Sequence, residues 1–121
     1  MFPIVMWIAM NPILRSHADQ IVQASIRAAL PDAAVEKALR HVTLTGRVLL
    51  VAAGKAAWRM AKTAGNLLGD RIEHGIVVTK YGHVEGAIAN IDCYEAGHPV
   101  PDANSCKGTQ AAMLTAIRKR S

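Results

Sequence analysis

The sequence predicts an α/β fold: a three-layer, Rossmann-like arrangement with a mostly parallel sheet, helices on both faces, and an incomplete edge. Three observations carry this expectation. Arg47 to Ala53 (RVLLVAA) and Gly75 to Thr79 (GIVVT) are apolar runs without the alternation of a half-exposed strand, so each reads as a strand buried on both faces. Between them Ala57, Met60, Ala61, Ala64, Leu67 and Leu68 form a helical stripe. The composition, 51% hydrophobic but only 4% aromatic, suits helices packed closely on a sheet and excludes disorder.

Taken in order, the elements begin with a helix from Asn11, where Leu14, Ala18, Ile21, Val22, Ser25 and Ala29 share one face. Pro31-Asp32 ends it and is expected to cap a short second helix over 33–40, with Val35 and Leu39 one turn apart. Thr45-Gly46 marks a turn before the first strand. The helix after that strand stops at Gly69, where a C-cap belongs. Beyond the second strand, KYGHVEGAIAN is a glycine-punctuated loop with a short strand expected around Ala87 to Ile91. Ile91 to Ala96 reads as the third strand, GHPVPDANS as a loop, and a helix resumes near Ser105 and runs through Met113, Leu114 and Ile117. Strands separated by helix or long loop imply right-handed βαβ units. A parallel sheet of three or four strands leaves an edge and apolar helix faces uncovered, so the sequence reads as the front part of a larger protein.

At 121 residues with a formal charge of +5, the chain favours anionic partners such as phosphates, carboxylates or nucleic acid without choosing among them. The C-terminal Arg118-Lys119-Arg120 run has no interleaved aromatics and reads as a solvated helix end, so nucleic acid is not expected. Cys93 and Cys106 have no metal-ligand spacing and read as reduced thiols in a cytoplasmic protein. The apolar start MFPIVMWIAM is too short to span a bilayer, which takes about 20 apolar residues. Met10-Asn11-Pro12 looks like a natural start, so residues 1–9 are expected to be an extension from an upstream codon.

Ligands of open α/β sheets sit outside the carboxyl ends of the strands. The loops leaving those ends carry Gly54-Lys55, Lys80-Tyr81-Gly82-His83 and Gly97-His98-Pro99. Parallel strands therefore gather two lysines and two histidines on one rim, which suits an anion. A helix N-terminus presents unpaired N–H groups and a positive dipole end, and cations are favoured at the opposite terminus. A lysine between strand and helix is thus placed for a ligand, with Gly54 allowing close backbone approach. The bland alternative is a solvated lysine on the first turn. Asp102 is a candidate substrate or magnesium ligand, although Asp between proline and helix is more often a cap. His98 can equally be a loop histidine bonded to backbone, and Glu95 either an edge-of-site carboxylate or an ion-pair partner. His17, His41 and His74 fall on polar faces or turns and carry no assignment, and Trp58 and Met60 read as packing. The P-loop G-x-x-x-x-G-K-[ST] does not match, because position 49 is Leu and position 56 is Ala. A dinucleotide fingerprint fails too, since AAGKAA holds one glycine.

AAGKAAWRMA, GIVVTKYGH and YEAGHPVPD, in that order, together with MNPILRSHADQIVQASIRAAL, resemble the N-terminal domain of class II glycerate kinases, the enzymes with a C-terminal MOFRL domain. Some of these are named hydroxypyruvate reductases. The resemblance covers residues 10–121 and implies phosphoryl transfer from ATP to D-glycerate, giving 2-phosphoglycerate, with Mg²⁺. It implies that Lys55 is the family's active-site lysine and that Lys80, His83 and His98 sit in family-like loops; with Gly54 and Asp102 from the loop reading, these are the expected substrate or phosphate contacts. It also implies a C-terminal domain absent from this chain; no membrane partner is expected, and for the intact enzyme a homodimer stands as one open alternative. Two other readings stand beside it: an NAD(P)-dependent hydroxypyruvate reductase, which the single-glycine turn disfavours, and a non-enzymatic anion-binding module.

Overall fold

Asn11 opens the first element of the computed structural model, which describes residues 11–118. Its side-chain oxygen accepts hydrogen bonds from the Ile13 and Leu14 amides, 3.1 Å each, and Pro12 follows where a missing N–H costs nothing. Helix α1 (Pro12–Ala29) ends because Leu30 precedes Pro31 and is held extended. The chain divides into two compact units, residues 1–30 and 31–121, and α1 belongs to the first. The expected extension at residues 1–9, and Lys119-Arg120 of the basic run, lie outside the described residues.

The second unit holds α2 (Asp32–Arg40), β1 (Val48–Ala53), α3 (Ala57–Leu68), β2 (Ile72–Lys80), β3 (Ile91–Ala96) and α4 (Ala103–Arg118). The three strands are parallel in the order β1-β2-β3, with Val51 opposite Ile76 and Val77 opposite Cys93. On one face Val77, Leu50 and Ala52 meet Ala57, Trp58 and Ala61 of α3, and the loop from β2 to β3 adds Ile88 and Val84. Ile72, Ile76 and Val77 are fully buried, each a stabilisation of roughly 1.5–3 kcal/mol. The opposite face carries α4, with Gly108 against Val78.

Several expectations change. Among the described residues β1 is the sheet edge and is only half-buried, because an apolar run does not by itself distinguish an edge strand from a central one. β2 begins three residues earlier than its apolar run. Glu73 pairs with Arg47, just ahead of β1, and His74 with Asp92 of β3 at 3.4 Å, so polar residues enter the strand with partners on either side. The strand expected around Ala87 to Ile91 is a single antiparallel bridge between Ile88 and Ile91. The stripe of α3 is rotated: Trp58 is buried while Met60 and Leu67 are exposed. Asp32 does not cap α2. Its carboxylate reaches the Arg59 guanidinium in a two-point contact of 2.7 and 3.1 Å, tying α2 to α3.

Gly108 sets the spacing of α4. A Cβ there would lie 2.5 Å from Val78 Cγ2, and the β-branched Val78 cannot swing aside. Gly108→Ala is expected to lose stability by about 1–3 kcal/mol from overpacking, offset by up to about 1 kcal/mol of helix propensity. A urea midpoint shifted down at unchanged slope is the measurement.

Candidate active site

All three strands end at one rim, and a cleft of about 120 Å³ opens there, lined by Ala53, Gly54, Lys55, Val78, Thr79, Lys80, Ala96, Gly97, His98 and Ser105. The turn that brings Lys55 to it is set by Gly54. Its φ of 118° is one that side chains rarely adopt, and nothing lies within 4 Å of where a Cβ would be, so conformation demands the glycine. The Gly54 amide donates to Val78 O at 3.0 Å and its carbonyl accepts from the Ala57 amide at 3.1 Å, welding strand end to helix start. Lys55 itself sits two residues before the first helical residue.

The two helices facing this rim differ at their N-termini. Helix α3 has Ala56 at its cap position and no side-chain cap, so its first-turn donors meet no side-chain acceptor. Helix α4 caps itself: Asp102 Oδ1 accepts from the Asn104 and Ser105 amides at 3.0 and 3.2 Å, and Ser105 Oγ accepts from the Asp102 amide at 3.0 Å. The uncapped dipole end is the one beside Lys55. Among the described residues, neither Lys55 nor Lys80 forms an ion pair.

Hydrogen bonds join the loops to one another. His83 Nδ1 lies 2.9 Å from Lys55 O, so the ring donates there with its proton on Nδ1, and Thr79 Oγ1 donates to the same carbonyl at 3.4 Å. Tyr81 O–H donates to Asp102 Oδ2 at 2.7 Å and accepts from Asn104 Nδ2 at 2.9 Å. The Gly82 amide donates to the Glu95 carboxylate. Of the residues expected at the site, Gly54, Lys55, Lys80 and His98 share the cleft. His83 meets it through the Lys55 backbone, and Asp102 is occupied by its cap and by Tyr81. Ser105, Thr79 and Tyr81 were not singled out from sequence. The D-x-x-S spacing after the proline-rich loop is a capping signal that could have placed Ser105. Tyr81 carried no signal beyond its place in the KYGH loop.

The Tyr81 hydrogen bond holds the Asp102 carboxyl below the usual carboxylate range, helped by backbone donors from Gly97, Ser105 and Asn104. The same bond to Asp102 raises the Tyr81 phenol. For Asp102, lowered in the fold, the stabilisation is present above the ordinary carboxylate pKa and is lost as pH falls through the folded value. For Tyr81, raised in the fold, it is complete below the ordinary phenol pKa and is lost as pH rises through the folded value. The latch is therefore whole across the neutral range. Phenolate absorbance should place Tyr81 above the ordinary tyrosine range, and Asp102→Asn should bring it down.

A family model described as "Domain of unknown function (DUF4147)" matches residues 17–120. The chain belongs to the DUF4147 family. The DUF4147 chain is 54% identical over 100 residues to the D-glycerate 2-kinase of Thermotoga maritima, a match covering 83% of this chain and 24% of that protein. It is 34% identical over 118 residues to the glycerate 2-kinase of Pyrococcus horikoshii, covering 88% of this chain and 26% of that one. The crystal structure of a Thermotoga maritima glycerate kinase superposes with a TM-score of 0.74 at 51% identity, over 87% of this chain and 25% of that one. These are the kinases whose segments the sequence resembles, and the DUF4147 chain spans about a quarter of their length. No described helix is long and apolar enough to cross a membrane.

Proposed function

We propose that this chain is the N-terminal part of a glycerate 2-kinase and supplies half of its anion site. The observation that carries the reading is the pair of lysines at one cleft, without ion-pair partners among the described residues, beside the uncapped N-terminus of α3. Phosphoryl transfer asks a protein for positioning and for cations where charge develops. Lys55 is the group to meet the transferring phosphoryl or the glycerate carboxylate, with ATP as donor and 2-phosphoglycerate as product. Lys80 and His98 line the same cleft and bind the second anionic group, while Gly54 keeps the approach open. His83 acts by bracing the Lys55 carbonyl, and Asp102 by fixing the loop that carries His98.

Mg²⁺ accompanies ATP in this reading, but the residues here do not fit a metal cage. Among the described residues no group of three His, Cys, Asp or Glu is poised to hold an ion, and the carboxylates at the rim are hydrogen-bonded elsewhere.

The test is a chimaera, residues 1–118 of this chain followed by the part of the Thermotoga maritima kinase beyond the matched quarter. Coupled detection of ADP with D-glycerate should report turnover. Oxidation of a nicotinamide cofactor with hydroxypyruvate, and no ADP, would overturn the reading in favour of a reductase.

A further inference from the structure

The sheet places its own continuation. Val77 and Val78 are neighbours on β2 and point to opposite faces: Val77 packs with α3, Val78 with α4. The β2-to-β3 loop also lies on the α3 face, where Trp58 Nε1 donates to Gly86 O at 2.9 Å. From β1 to β2 to β3 the chain thus travels one way across the sheet, with its connections on one face. Parallel crossovers are right-handed in about 98% of cases. A connection on the other face must therefore travel the other way. Helix α4 leaves β3 on that opposite face, so the handedness rule directs a strand following it to the β1 side of the sheet.

What lies at β1 matches. Its edge is open. The Gly54 amide bonds to Val78 O, so alternation turns the amides of Leu49, Val51 and Ala53 outward from the sheet. On the α4 face Val51 is 57% exposed. Helix α4 packs by its small residues around Gly108 and leaves Met113, Leu114 and Ile117 outward, 59%, 51% and 58% exposed. A connection that continues the reversed travel also lies on the α4 face.

We propose that the β1 edge is the seam for a fourth parallel strand, supplied by polypeptide of the kind the relatives carry beyond the matched quarter. The order becomes β3-β2-β1 followed by the new strand, which makes the end of β1 the point where strand order reverses. Ligands of doubly wound sheets bind at that point, so the loop leaving the new strand closes the cleft opposite Lys55. The seam stands independently; the role of that loop rests on the kinase reading.

Amide hydrogen exchange tests it on the 121-residue chain and on the chimaera. Leu49, Val51 and Ala53 amides should exchange freely in the chain alone and slow roughly 100-fold or more in the chimaera. Val51→Lys should leave the unfolding midpoint of the chain unchanged and lower that of the chimaera. Unprotected β1 amides in the chimaera, or a chimaera without cooperative unfolding, overturn the seam. Protection in the chain alone also overturns it: concentration-dependent protection identifies a second copy as occupant, and concentration-independent protection a cover from within the chain. Protected amides without ADP production keep the seam and sink the kinase, whereas turnover with unprotected amides does the reverse.

Discussion

Lys55→Ala in the chimaera should lower kcat about 10²–10³-fold, the range seen when one preorganised donor to developing charge is removed. Lys55 is exposed and makes no ion pair among the described residues, so its loss costs the fold nothing measurable. The unfolding midpoint should stay put while turnover falls. A rise in KM at unchanged kcat would instead mean that Lys55 holds ground and transition states equally, as an anion anchor. Near-normal values of both would remove it from the site. Lys55→Arg should recover only part of the activity, because the planar guanidinium delivers its charge along different directions from a compact ammonium.

Trp58→Ala should be the most damaging packing change. The indole is buried between α3 and the β2-to-β3 loop, and its Nε1 is hydrogen-bonded to Gly86 O. Truncation opens a cavity and costs about 3–5 kcal/mol. Against a total stability of roughly 5–15 kcal/mol for a folded domain, that is enough to populate unfolded chain at ambient temperature. Trp58→Phe separates the contributions: it keeps most of the packing and leaves Gly86 O without its donor, a loss of about 1 kcal/mol. Urea unfolding followed by far-UV circular dichroism distinguishes the two variants. Equal stability of Trp58→Ala and the unmodified chain would contradict the packing described.

How much of this was readable beforehand depends on whether a residue's role is local. β3 was bounded correctly, and α3 stopped at Gly69, because apolar runs and glycine breaks are properties of neighbouring residues. The strand-to-helix turn at Gly54-Lys55 was visible for the same reason, and the rim followed from parallel strands. Long-range partners were not visible. Nothing near Asp32 in sequence distinguishes a cap from an ion pair with Arg59, 27 positions away. Asp102 and Tyr81, 21 positions apart, likewise find each other only when β2 and β3 lie side by side.

Local spacing and turn chemistry by themselves settled the α/β class, the parallel strands and the lysine at the mouth of a helix. Packing alone decided that β1 is the edge among the described strands, that α3 turns Trp58 rather than Met60 inward, and that α4 lies across from α3. An apolar side chain is equally content against any neighbour that excludes water. Its pattern therefore declares burial without naming the partner, and only the closed chain, with its handed crossovers, names it.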